Sequence, residues 1–190
     1  MKLLKFLISL FIALLLGIGS ALLLIKRPPA GSWIMNGAWE TNLAIGSRQA
    51  GIYPRAHIAL TGLFALNKSE TVYYSAYCDD NGDPLKTSCD YHIEGEELKS
   101  RWWSITAYGE DSFLIPNEQN IYSYNKNSVM RKAEGSYIIF LSSTPKDGNW
   151  LSVGKEGTFS LILRLYNPAP EIYLNPESIT LPRIRKDKCK

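Results

Sequence analysis

Apolar and polar residues follow three successive patterns along this chain. From Phe6 to Ile25 (FLISLFIALLLGIGSALLLI) no charge interrupts an apolar run, which Lys2 and Lys5 precede and Lys26 and Arg27 follow. A span of about 20 such residues matches the roughly 30 Å hydrocarbon core of a bilayer, whereas the apolar part of a secretory leader usually stops near 7 to 15. The run therefore predicts an uncleaved transmembrane helix. The competing reading is a long signal peptide cut near Gly19-Ser20-Ala21, where the residues are small but the A-x-A pattern is imperfect. No polar face exists to meet water, so a helix of a soluble core is the weakest reading. Two positive charges on each side, beside the free amine, leave the orientation open.

The second pattern is helical and short. Pro28, Pro29, Gly31 and Ser32 form a spacer, and Trp33 to Gly51 shows little period. Trp39 in that stretch is expected to plug the edge of the domain rather than to sit at the membrane surface. Tyr53-Pro54-Arg55 then opens a helix, since proline suits the first helical position. Ala56, Ala59, Leu60, Leu63 and Phe64 fall at i, i+3, i+4, i+7 and i+8, a single apolar stripe.

From Thr71 the period becomes two. Thr71 to Cys78 (TVYYSAYC) reads as a strand ending at Asp79-Asp80-Asn81-Gly82-Asp83, and Asn-Gly is the strongest short hairpin signal, so Leu85 to Ile93 is expected to pair back. Arg101 to Asn117 (RWWSITAYGEDSFLIPN) reads as a central hairpin. Trp103, Ile105 and Ala107 share one face, Trp102, Ser104, Thr106 and Tyr108 the other, and Phe113 to Ile115 start a return strand after the turn. Asn120 to Tyr124 and Ser136 to Ser142 give two further strands, the latter expected to be buried on both faces. Thr144 to Gly148 is a turn. In Thr158 to Tyr166 (TFSLILRLY), Phe159, Leu161, Leu163 and Leu165 should point inward and Ser160, Ile162, Arg164 and Tyr166 outward, with Pro168 and Pro170 ending the strand.

Composition changes this picture modestly. The chain has 190 residues, 45% hydrophobic and 12% aromatic, enough for one domain with a real core. The net charge of +3 is unevenly placed: Arg183 to Lys190 carries five basic groups and one acidic, leaving the body between leader and tail near −3. A mildly acidic body argues against nucleic acid, which needs a basic footprint. The tail itself reads as a solvated end. Three cysteines, Cys78, Cys89 and Cys189, allow one disulfide and a leftover thiol. Joining Cys89 to Cys189 would tie down a tail that otherwise frays, for about 4 to 5 kcal/mol in the loop-entropy account. Cys78 with Cys89 is the rival pairing.

Candidate chemistry is sparse. The Asp79 to Asp83 carboxylates lack the spacing of a calcium loop and read as an ordinary turn, and no C-x-x-C or histidine-rich spacing marks a metal site. No cofactor is expected. His57 and His92 read as surface or structural residues, and Glu94, Glu96 and Glu97, broken by Gly95, as a solvated acidic loop. The binding reading has more material. Arg55, Trp102, Tyr108, Tyr124, Arg164 and Tyr166, with Tyr122, supply aromatic faces and planar donors of the kind that recognise sugars, aromatic rings or carboxylates in shallow clefts. The same residues also suit cross-strand packing. Arg164 decides most between the two: it must leave the sheet opposite Leu163 and Leu165, either as a strut with an acidic or carbonyl partner or as a group open to a ligand.

RWWSITAYGEDSFLIPN, Asn149-Trp150-Leu151 after a Pro-Lys-Asp-Gly turn, and LILRLYNP at Leu161 to Pro168 together resemble a bacterial domain of unknown function, family 1214. The resemblance extends to Tyr53-Pro54-Arg55-Ala56, to the Asp79 to Gly82 turn and to Cys89-Asp90-Tyr91, and so spans roughly Trp39 to Pro168. It implies a β-sandwich resembling a jelly roll and an envelope setting. Some similar proteins carry a fused upstream partner domain, for which this chain is expected to have no room. The family implies no chemistry.

The expected protein is therefore a mainly β, antiparallel β-sandwich with one short helix and an N-terminal transmembrane helix. Residues 1–27 would be the anchor or signal, 28–38 a linker and 39–190 the sandwich with its basic tail. The globular domain would lie in the periplasm, tethered to a bacterial inner membrane, with a small molecule or glycan as its candidate ligand. A binding or structural module is the leading function, and a hydrolase-like enzyme acting on glycans or other envelope material is the alternative. A cleft holding two carboxylates or a His–carboxylate pair would favour the enzyme, and a flat aromatic face would favour binding.

Overall fold

In a computed structural model, which describes residues 2–26, 33–47, 49–60 and 65–189, the strictest alternation in the sequence makes the middle of a sheet. In chain order the elements are α1 (Lys2–Lys26), β1 (Ile34–Asn36), β2 (Trp39–Thr41), α2 (Ile52–Leu60), β3 (Thr71–Ala76), β4 (Cys89–Gly95) and β5 (Ser100–Gly109). There follow β6 (Ser123–Asn125), β7 (Tyr137–Ser142), β8 (Trp150–Ser152), β9 (Phe159–Pro168), α3 (Pro170–Leu174) and β10 (Arg183–Cys189). The larger sheet has the order β1-β2-β3-β9-β5-β6 and the smaller β10-β4-β7-β8. β7 and β8 run parallel, and the other pairs are antiparallel. The protein is thus mainly β, with an apolar helix at its N-terminus.

The period of two sorts the core from the surface. Leu161, Leu163 and Leu165 of β9 and Trp103, Ile105 and Ala107 of β5 all face inward and are buried. Tyr91, Ile93, Ile139, Leu141 and Ile184 meet them from the smaller sheet. Each such aliphatic side chain contributes about 1.5–3 kcal/mol relative to remaining exposed. Trp39 belongs to this core, 1% exposed, with its indole N–H donating to the Pro182 carbonyl at 2.6 Å. It plugs the edge of the domain, as expected.

β1 pairs with β2 across a tight turn at Gly37. Several expectations need correcting. The Asn81-Gly82 turn does not join a β3–β4 hairpin. Asp79 folds this loop on itself by accepting from the Asn81 and Asp83 N–H groups, and Cys78 bridges Pro84, after which the chain crosses to the other sheet. The central hairpin is also incomplete. β9 and β6 already occupy the two edges of β5, leaving only Tyr108 free to bridge Leu114, so Phe113 stays exposed. β7 buries Tyr137, Ile139 and Leu141, while Ile138 and Phe140 on its other face are only partly covered.

Arg183 to Cys189 is an edge strand rather than a solvated tail. Ile184 enters the core, and the flanking charges leave an edge that resists pairing with other chains. A Cys89–Cys189 disulfide joins β10 to β4, and Cys78 remains a free thiol. The apolar stripe proposed for α2 is not part of the core: Ala59 and Leu60 are exposed. Leu63, Phe64, the spacer residues and the His57 side chain lie outside the described residues.

Candidate functional site

Four of the six candidate ligand residues come together on the outer face of the larger sheet. The register places Trp102 opposite Tyr166 and Ser104 opposite Arg164 on β5 and β9, so one face collects their side chains with those of Thr106 and Tyr108. Trp102 and Tyr166 meet edge to face with ring centroids 5.3 Å apart. Arg164 is half-buried between them and Tyr108. Its guanidinium donates to the Thr106 hydroxyl at 3.1 Å and to the Tyr108 hydroxyl at 2.7 Å, and lies 5.6 Å from the centre of the Tyr108 ring.

These partners fix the arginine without neutralising it. Both acceptors are neutral hydroxyls, and no carboxylate pairs with Arg164 among the described residues. Partly desolvating a guanidinium costs free energy that a hydroxyl returns only in part, and an incoming carboxylate could accept two parallel N–H bonds in place of water. The same anchoring means that the group is held in position before any ligand arrives.

The other candidates go elsewhere. Tyr124 points into the core from β6, 8% exposed, and its hydroxyl accepts from the Trp150 N–H at 3.0 Å. Pairing of Tyr124 with Ile105 forces that direction, since opposed residues share a face and Ile105 faces inward. Arg55 is exposed on α2, away from the β5–β9 strip in sequence and element. Tyr122 donates to the Asn120 side chain at 3.2 Å.

The outer face of the smaller sheet carries the charged groups that sequence reasoning left as bystanders. His92 Nδ1 lies 2.6 Å from Asp187 and its Nε2 3.6 Å from Glu94, which also meets Arg185 at 3.2 Å. Asp90, 3% exposed, accepts from the Ser142 hydroxyl and the Lys146 ammonium, both at 2.7 Å. A His–carboxylate pair therefore exists, but it joins β4 to β10 on an outward face.

Two clefts of about 350 and 430 Å³ meet at Glu96, Glu97, Leu98 and Thr180, a region read from sequence only as an acidic loop. None of the six candidate ligand residues lines either one. Charges around them are largely paired: Glu97 with Arg131 and Lys126, Glu94 with Arg185, and Lys99 with Glu171. Gly95 at the rim is required by packing, because a Cβ there would fall 2.5 Å from the Tyr137 ring. That ring stacks on Trp103 at 5.0 Å with Arg131 alongside. Burial pushes the Tyr137 phenol well above its ordinary range, so it stays protonated. The signal in the sequence was the glycine dividing three glutamates.

Asn149 is the other residue that sequence reading did not place. It is buried, donates to the Met130 and Ile138 carbonyls at 2.8 Å each, and accepts from the Met130 N–H at 2.7 Å, which clamps the start of β8.

Residues 70–170 match the family described as protein of unknown function, DUF1214. The chain belongs to that family. The matched segment of this DUF1214 protein contains β3 through β9, and so the whole Arg164 face. Its fold is similar to that of the VPA0106 protein from Vibrio parahaemolyticus, at 23% identity and a TM-score of 0.63, covering 90% of this chain and 43% of that one. An uncharacterized protein from Burkholderia cenocepacia is similar at 17% identity and a TM-score of 0.43, covering 64% of this chain and 30% of that one. The chain thus spans less than half the length of either protein. Comparison with curated proteins found no match.

Proposed function

We propose that this DUF1214 protein is a membrane-tethered envelope module that binds a carboxylate-bearing small molecule or glycan on the outer face of β5 and β9. The observation that carries the reading is Arg164, a half-buried guanidinium whose protein partners are two neutral hydroxyls. Trp102 and Tyr166 supply an aromatic wall beside it, suited to the apolar side of a sugar ring or to an aromatic ligand. Arg164 would form paired bonds to the ligand carboxylate, and Tyr108 and Thr106 would hold the guanidinium in place.

The setting follows from two further features. α1 is long and apolar enough to cross a membrane, which supports residues 1–27 as an anchor of a bacterial inner membrane. The Cys89–Cys189 disulfide supports an oxidising compartment, hence a periplasmic domain. The rival hydrolase reading would rest on His92 and Asp187, yet both His92 nitrogens face carboxylates, an arrangement that serves strand pairing better than proton transfer to a substrate.

Full-length protein in detergent, titrated with glucuronate and with glucose while tryptophan emission is followed, tests this. Glucuronate should give a saturable change that glucose does not, and Arg164→Ala and Trp102→Phe should each abolish it. Equal responses to both sugars, or a glucuronate response that survives Arg164→Ala, would overturn the proposal.

A further inference from the structure

Among the described residues the apolar stripe of α2 takes no part in the buried core of the β domain, and its position relative to α1 identifies what covers it. Ile52, Ala56, Ala59 and Leu60 fall within an arc of about 100° at 3.6 residues per turn. Ile52 and Leu60 are 73% and 74% exposed, and no described residue of α2 belongs to the buried core. The helix contains no Asp or Glu, and Arg55 is exposed on it.

α2 packs against α1. Along residues 2–25 of α1 the side chains are exposed except at Gly19, Ala21 and Ile25, which are partly covered. These three lie in the last two turns, within about 9 Å of the end of the apolar run at 1.5 Å per residue. If α1 spans a bilayer, its last apolar turns lie just below the headgroups. A helix packed beside them occupies the same depth, roughly the outer 5–10 Å in which amphipathic interfacial helices bury their apolar face.

We infer that α2 is a second membrane-contacting element, lying in the headgroup–acyl boundary beside α1 with Ile52, Ala59 and Leu60 turned into lipid. The occupant of the stripe is the bilayer itself. Ala21, a small residue one turn from Ile25 on the same face of α1, allows the close approach of α2. The domain would then be held flush against the membrane at two points instead of swinging on a linker. This inference rests on the anchor reading of α1.

The test uses full-length protein in vesicles of phosphatidylethanolamine and phosphatidylglycerol. A Cys78→Ser background leaves only the disulfide cysteines, and single cysteines are introduced by Leu60→Cys, by Leu23→Cys in α1, and by Phe113→Cys on an exposed loop. Each is labelled with an environment-sensitive fluorophore, and quenching by a lipid carrying a nitroxide near the headgroup is measured. Leu60→Cys should be quenched at least roughly half as strongly as Leu23→Cys, and Phe113→Cys hardly at all. Quenching at Leu23→Cys without quenching at Leu60→Cys would overturn the inference and leave the anchor standing. A blue-shifted but unquenched label at Leu60→Cys would mean protein rather than lipid covers the stripe, which also overturns it. Absence of quenching at both would remove the anchor reading as well.

Discussion

On the outer face of β4, β7 and β10 Asp90, His92 and Glu94 each meet a charged partner, whereas on the outer face of β5 and β9 Arg164 is held by hydroxyls. Asp90 meets Lys146, His92 meets Asp187, and Glu94 meets Arg185, and two of these contacts join β4 to β10. Among the described residues Arg164 bonds to Thr106 and Tyr108. Both faces belong to alternating strands with equally apolar inner sides, so the difference is not one of folding. Pairing returns the desolvation cost of a charge to the protein and leaves little for a ligand to gain. An unpaired, half-buried guanidinium keeps that gain in reserve. The paired face reads as structure, and the Arg164 face is the one proposed above to bind a ligand.

This contrast can be broken at several points. The largest effect should come from Cys189→Ser, which frees the end of β10 from the paired face and is expected to cost about 2–5 kcal/mol, read as a drop in the denaturant midpoint. Asp90→Ala should follow at about 1–3 kcal/mol, because it strands the Ser142 hydroxyl and the Lys146 ammonium around a buried site. Glu94→Gln, at a more exposed pair, should change stability by less than about 1 kcal/mol.

The smallest effect concerns the Asp83–Lys186 pair at the start of the crossover loop. A hydrogen bond from Lys186 holds the Asp83 carboxyl below its ordinary range. A depressed folded-state value stabilises above the unfolded value and is lost as pH falls through the folded one, so this contribution should fade below about pH 4. Because the pair is solvent-exposed, Asp83→Asn should flatten the acid limb of a melting-temperature profile only slightly, and salt should flatten it similarly.

Much of this was legible in the chain. β9 was readable because its leucines alternate without a break, whereas the Cys89–Cys189 pairing was favoured only because it would tie down a tail that otherwise frays, with Cys78–Cys89 as the open rival that the structure excludes. Sheet partnership was not readable. The Asn81-Gly82 turn carried a hairpin signal, yet the burial of Asp79 and the bridge from Cys78 to Pro84 fold the loop on itself before a hairpin can form. The direction of Tyr124 failed for a related reason: a three-residue strand has too few positions for its period to show, and only its pairing with Ile105 fixes its face. Trp102, Tyr108, Arg164 and Tyr166, four of the six candidates, fall on one face because each sits on a ten-residue strand whose alternation is long enough to show in the sequence. The lack of a charged partner for Arg164 could be seen only in three dimensions.

The most direct test sets Arg164→Ala beside Asp90→Ala, measuring melting temperature and glucuronate binding for each in the full-length protein. Arg164→Ala should melt close to the parent and lose binding, while Asp90→Ala should melt several degrees lower and bind normally when folded. Should Arg164→Ala melt as low as Asp90→Ala with glucuronate binding intact, the arginine would be a strut like the rest, and the division between the two faces would be contradicted.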